Sequence, residues 1–245
     1  MQRIDKKIED SLKKIELIYN IITEKFFGQK KIVEQVLVSI LSSGNTLIVG
    51  VPGLGKTLLF KTLSESLKLE SRRIQCTPDL MPFDIIGTEI LSSKDIKKFS
   101  FIKGPIFCQI LMVDEINRAS PRTQSALLQA MQEGFITVNG KNFELPKPFI
   151  VLATENPIEQ EGTYNLPEAQ LDRFLMQINI SYPEIETEKK ILIGLPDKKK
   201  SSYNFQSENL IELISVINEL PVGESVLSFV LNLIRNLRPE SSKFD

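Results

Sequence analysis

The clearest chemistry in this chain is carried by Gly50-Val-Pro-Gly-Leu-Gly-Lys-Thr57. Its glycines let backbone N–H groups turn inward around phosphate oxygens, and a helix starting at the lysine adds the positive end of its dipole. Lys56 would reach the β- and γ-phosphates, and the Thr57 hydroxyl would hold Mg²⁺. Such a loop needs a strand before it and a helix after it. Thr46 to Val49 is a short apolar, β-branched run, and Leu58, Leu59, Leu63 and Leu67 recur at helical spacing. This context predicts binding of a nucleoside triphosphate through Gly50, Pro52, Gly53, Leu54, Gly55, Lys56, Thr57 and Leu58.

A second signal is Ile110-Leu-Met-Val-Asp114-Glu115, an apolar strand ending in adjacent carboxylates. Asp114 would hold Mg²⁺ through water beside Thr57, and Glu115 would orient and deprotonate an attacking water. Asn156 caps the next apolar run, where its amide could hold that water or feel the γ-phosphate; a turn-forming Asn before Pro157 is the alternative. Arg173 lies far along the chain from the phosphate loop, which suits a finger donated to a neighbour's nucleotide. A surface pair with Asp172 or Glu168 is the other reading of that arginine.

Composition narrows the chemistry further. The 245 residues contain no histidine, which removes Ser-His-Asp and Cys-His catalysis and every histidine-containing metal site. Any reaction must run on carboxylates, hydroxyls, Lys, Arg and a bound cation. Cys76 and Cys108 sit in apolar stretches and are expected to be buried, inert thiols. A net charge of −1 writes no bulk attraction to nucleic acid into the chain. No apolar run approaches roughly 18 residues and no basic-then-apolar leader opens the sequence, so a cytoplasmic location without membrane contact is expected.

The elements that must position these residues follow from periodicity. Ile4, Ile8, Leu12, Ile15, Ile18, Ile22 and Phe26 mark an amphipathic helix, and Ile32 to Leu41 a second one. Strands are expected at Arg73 to Thr77, Gln109 to Val113, Phe149 to Thr154 and Leu175 to Ile180. Gly87 to Leu91 and Lys98 to Ile102 suggest a hairpin around Ser92-Ser93-Lys94-Asp95. A second hairpin turns at Asn139-Gly140, and Ser120-Pro121 opens a helix as N-cap and N1. A short helix runs from Pro167 to Phe174. Beyond Pro183 only helical patterns remain, at 185–194, 207–219 and 224–236, separated by a Lys-Ser run and Pro221-Val-Gly223. The alternation predicts an α/β fold with a mostly parallel sheet covered on both faces in 1–182, and a small helical domain in 183–245.

Taken in order, these parts strongly resemble the MoxR family of AAA+ ATPases from about Phe27 to Tyr182. Gly50–Thr57 resembles its Walker A motif and Leu111-Met-Val-Asp-Glu-Ile-Asn-Arg-Ala119 its Walker B motif. The Ser120–Glu133 stretch is similar to the helix that follows in the family, Ala153–Pro157 to its sensor 1 segment, and Leu166–Phe174 to the stretch bearing its arginine finger. The resemblance implies a five-stranded sheet of order 5-1-4-3-2 flanked by helices, two inserted hairpins, and an adenine bracketed by Phe27, Gly28 and Gln29. It also implies Mg²⁺-dependent ATP hydrolysis to ADP, a homo-oligomer closing into a hexameric ring, chaperone-like remodelling of protein clients, and a partner bearing a von Willebrand A domain. One departure stands out. The family's sensor 2 arginine sits in a Gly-Ala-x-Pro-Arg-like motif, whereas the arginines after Arg173 are Arg235 and Arg238, outside any such motif, so a shortened lid is expected. Two other functions compete: an ATP-gated assembly or binding module with little turnover, and a DNA-loading AAA+ factor, which the balanced charge disfavours.

Overall fold

The computed structural model describes residues 2–92, 95–159, 161–193 and 205–238, with side chains omitted at 2–5, 92 and 95–98. Ser93 and Lys94 at the tip of the first hairpin, and the Lys-Ser run after residue 197, lie outside the described residues. In chain order the elements are α1 (Gln2–Lys25), α2 (Lys30–Leu41), β1 (Thr46–Val49), α3 (Lys56–Leu67), β2 (Ser71–Gln75), α4 (Pro82–Ile86), β3 (Gly87–Ser92) and β4 (Asp95–Lys103). They continue as β5 (Ile110–Asp114), a 3-10 turn (Ile116–Arg118), α5 (Pro121–Glu133), β6 (Phe135–Val138), β7 (Lys141–Glu144), β8 (Ile150–Glu155), α6 (Glu168–Leu171) and β9 (Met176–Asn179). Three helices close the chain: α7 (Ile185–Ile193), α8 (Ser207–Asn218) and α9 (Glu224–Asn236).

The central sheet has five strands in the order β2-β5-β8-β1-β9, all parallel. Numbered within the sheet alone, this is the 5-1-4-3-2 arrangement read from the other edge. Successive side chains of a strand face opposite ways, so β5 and β8 feed two cores at once. Ile110, Met112, Ile150 and Leu152 join Ile48 and Ile178 beneath α1, α2 and α3. Leu111, Val113, Val151 and Ala153 join Leu47 and Ile74 against Leu127, Leu128 and Ala130 of α5. Burial on both faces explains why these strands read as unbroken apolar runs.

Both hairpins form as antiparallel pairs, β3 with β4 and β6 with β7. Some expected elements differ in extent. The second strand runs from Ser71 to Gln75, two residues earlier than the Arg73–Thr77 reading, because it pairs with β5 from Ile110 to Asp114 and stops where that partner strand ends. Just before the first hairpin lies a one-turn helix, α4, opened by Pro82 and too short for a periodic signal. The helix read over Pro167–Phe174 is shorter, Glu168–Leu171.

The helical tail does not pack on a core of its own among the described residues. Phe205, Leu210 and Leu213 are buried in the cluster shared with α1, α2 and α3, and α8 rests on α1 and α2. Helices α7 and α9 bury no side chain. No described helix is long and apolar enough to cross a membrane.

Candidate functional site

Parallel strands bring their carboxyl ends to one edge of the sheet, and the candidate residues gather there. β1 delivers the Gly50–Gly55 loop, its neighbour β8 delivers Glu155 and Asn156, and β5 delivers Asp114 and Glu115. The Gly50 N–H donates to the Glu155 carbonyl at 3.1 Å, which ties the loop's start to the adjacent strand. Gly53 and Gly55 have φ of +87° and +80°, where a side chain would be strained. No side chain caps the N-terminus of α3, so its first N–H groups face outward, toward where an anion would sit. Thr57 and Leu58, at that first turn, are exposed.

The Lys56 ammonium lies back across the loop. It donates to the Gly50 carbonyl at 2.6 Å and to the Glu155 carbonyl at 3.3 Å. Burial pulls its pKa below the ordinary lysine value, against the opposing pull of Asp114, Glu115 and Glu155. The Glu155 carboxyl is pushed up by burial, partly offset by Lys56.

Asp114 is nearly enclosed. Its Oδ1 accepts from the Thr154 hydroxyl at 2.5 Å, and its Oδ2 accepts from the Arg73 guanidinium at 2.6 Å. Glu115 leaves the strand alternation at φ +54°, a left-handed conformation that costs a non-glycine residue about 1–3 kcal/mol. Its N–H donates to the same Thr154 hydroxyl oxygen at 2.9 Å. Its carboxylate accepts from Gln75 at 2.8 Å and from Arg118 at 3.3 Å, and Arg118 also pairs with Glu159 at 3.5 Å. Arg73 donates to Gln75 at 3.2 Å, so one polar network spans both carboxylates.

Asn156 is buried and shapes the turn after β8. Its Oδ1 accepts from the Ile158 N–H and its Nδ2 donates to Glu159, each at 3.3 Å. The turn-forming alternative is therefore seen, at a position beside the phosphate loop. Phe27, Gly28 and Gln29 join α1 to α2 and abut α7, with the Lys190 ammonium 5.7 Å from the centre of the Phe27 ring. Among the described residues, the buried Gln29 Oε1 has no hydrogen-bond partner.

Arg173 is not brought to this edge. It precedes β9, and the N–H of Leu175, two residues on, donates to the carbonyl of Asn45, before the start of β1. The length of β1, roughly 13 Å, separates that end of the sheet from the phosphate loop. Half-buried Arg173 makes no side-chain ion pair among the described residues, so the pair with Asp172 or Glu168 is not formed.

Arg73, Gln75, Arg118, Thr154 and Glu159 escaped the reading of the sequence as site residues. The available signal was the pair of arginines, Arg72 and Arg73, inside a strand-like run. Cys76 and Cys108 are free and buried, and burial pushes each thiol up to about 12, which keeps both protonated.

The profile of the ATPase family associated with various cellular activities (AAA) matches residues 45–176, which include the phosphate loop, both carboxylates and Arg173. The chaperone MoxR1 of Mycobacterium tuberculosis is 49% identical over 165 residues, covering 67% of this chain and 44% of its own length. The chain belongs to the MoxR-type AAA ATPases. Another relative, the uncharacterized protein YeaC of Bacillus subtilis, is 39% identical over 225 residues, covering 90% of this chain and 70% of the relative. In fold, the chain is similar to a crystal structure of a candidate ATPase from Cytophaga hutchinsonii. That match has a TM-score of 0.83 and 36% identity, and covers 97% of this chain and 72% of the other.

Proposed function

We propose that this MoxR-type chain is a Mg²⁺-dependent ATPase that acts as a chaperone-like remodelling motor on protein clients, in a hexameric ring of its own copies. The observation that carries the reading is the meeting of three adjacent strand ends, with the Lys56 ammonium bridging the Gly50 and Glu155 carbonyls beside Asp114 and Glu115. The surroundings fit the nucleotide and the metal. The uncapped first turn of α3 suits a phosphate, and the unpartnered Gln29 Oε1 suits the exocyclic amine of adenine. A guanidinium already occupies a cation's place on Asp114, and hydroxyl and carboxylate oxygens are the donors that Mg²⁺ prefers.

In this reading the loop N–H groups and Lys56 hold the β- and γ-phosphates, while Thr57 and Asp114 hold Mg²⁺. A bound Mg²⁺ would supply neutralisation of the phosphate charge. Phe27, Gly28 and Gln29 bracket the base. Glu115 accepts a proton from water as its oxygen bonds to the γ-phosphorus, and the bond to the bridging oxygen breaks with its electron pair leaving on ADP. Asn156 orients that water. Arg173, a strand's length from its own phosphate loop, serves the nucleotide of the next copy, which makes assembly part of catalysis. The name of MoxR1 supports the chaperone role, and a von Willebrand A domain partner fits the same family reading.

A second reading, an ATP-gated binding module with little turnover, is favoured by one feature. Glu115 is already held by Gln75 and Arg118. Steady-state ATPase and ATP binding, measured on the wild type and on Glu115→Gln, separate the two. The motor requires measurable wild-type turnover, and the variant should bind ATP yet lose at least about a hundredfold in rate. A wild type that binds ATP without hydrolysing it would establish the gated module instead.

A further inference from the structure

The carboxylate assigned to the metal is already paired with a positive charge. Arg73 stands at the middle of β2, the edge strand, opposite Met112 of β5 and on the sheet face that Asp114 shares. From there its guanidinium reaches Asp114 Oδ2 at 2.6 Å. The two ends of this pair differ in environment: the Asp114 side chain is 12% exposed, and that of Arg73 is 48% exposed. Each Asp114 oxygen already accepts one hydrogen bond, Oδ1 from the Thr154 hydroxyl and Oδ2 from Arg73. Arg73 and a cation held by Asp114 would therefore compete for the charge of one carboxylate.

We infer that Arg73 is a built-in counter-cation that holds Asp114 while no metal is bound and must be displaced when Mg²⁺ arrives with nucleotide. The inference rests on the proposed ATPase reading. Asp114 without a cation would be a mostly buried carboxylate with a single hydroxyl partner. Arg73 removes that cost in the empty enzyme and so weakens metal binding by the strength of its own pair. Its exposed side lets the guanidinium leave toward solvent, where Gln75 also accepts from it at 3.2 Å. Arg73 touches neither substrate nor reacting atoms in this account. It is a positioning residue that sets the metal concentration at which the site loads.

The test is Mn²⁺ binding, followed by electron paramagnetic resonance with ADP saturating, in Arg73→Ala, Arg73→Lys and Arg72→Ala. Arg72, on the same strand, pairs with Glu70 and removes an equal charge without touching Asp114. Arg73→Ala should lower the Mn²⁺ dissociation constant roughly twofold to fivefold, the span of one half-exposed ion pair. Arg73→Lys should sit near the wild type, and Arg72→Ala should shift it less than about twofold. Arg73→Ala should also melt earlier without metal and gain more from added Mn²⁺ than the wild type does. Arg73→Met, which keeps the aliphatic stem, replaces the alanine variant if that one does not fold. An unchanged or weakened Mn²⁺ affinity in the charge-removing variant, or an equal shift in Arg72→Ala, overturns the inference. A wild type that binds no ADP would instead overturn the ATPase reading itself.

Discussion

At the level of single residues, the site is assembled from charges that are expensive to bury and held by a few directed bonds. Lys56 illustrates the arrangement: burial disfavours its charge, yet carbonyl oxygens at 2.6 and 3.3 Å hold the ammonium over the loop. Lys56→Ala should fold and lose ATP binding by at least about a hundredfold, because a charge-assisted contact to phosphate disappears. Isothermal titration with ATP and Mg²⁺ measures it, and wild-type affinity would remove Lys56 from the site. Glu155 gives a pH signature. Its carboxyl is raised in the folded chain by burial, so the fold binds its proton more tightly than the unfolded chain does. Stability linked to this group is fully present below the ordinary glutamate range and is lost as pH rises through the elevated value. Glu155→Gln should therefore melt about 1–4 °C higher than wild type at pH 7, with the gap closing as the pH is lowered toward 4. A gap that widens on acidification contradicts the sign.

Between elements, one contact open to a single change is the turn between α1 and α2 against α7. Gly28 has φ +84°, and a Cβ built there would lie within 2.0 Å of the Thr187 Cγ2. Gly28→Ala should cost about 2–4 kcal/mol, from both backbone strain and overpacking, and should weaken ADP binding by shifting α7 away from Phe27. Thr187→Ser removes the clashing methyl but leaves the strain. The double variant should recover part of the stability and most of the affinity in thermal melts and ADP titration, giving a coupling of about 1 kcal/mol or more. Additive losses would show that the turn and α7 are not in contact in solution.

At the scale of the whole molecule, the sheet separates functions between its two ends. The phosphate loop and the acidic pair lie at the carboxyl edge, while Arg173 lies before β9 at the other. Arg173→Ala should leave ATP affinity unchanged and cut turnover by on the order of a thousandfold. Mixing subunits gives a sharper outcome. Arg173→Ala and Lys56→Ala chains, each inactive alone, should regain a measurable fraction of the activity together, because an intact phosphate loop can meet an intact arginine across the interface. Co-assembled but inactive mixtures would show that Arg173 does not act on a neighbour's nucleotide.

Sequence alone determined the parts whose constraints are local. The phosphate loop is contiguous from Gly50 to Thr57, and its left-handed glycines follow from steric limits on neighbouring atoms. The Asn139-Gly140 turn is equally local, with φ of +47° and +76° that suit these two residues. The carboxylates at Asp114 and Glu115 were legible because a buried parallel strand reads as an apolar run and stops where the sheet does. Only the tertiary structure decided what those carboxylates touch. Arg73 meets Asp114, Gln75 meets Glu115, and the Thr154 hydroxyl donates to the Asp114 carboxylate and accepts from the Glu115 backbone N–H, across separations of about 40 residues. Those meetings depend on strand register, and register is set by which side chains of β2 and β8 can be buried against β5, information that no single segment contains. The same reason explains α8: its apolar stripe was visible in the sequence, but its seat on α1 and α2 depended on the surface those helices leave open.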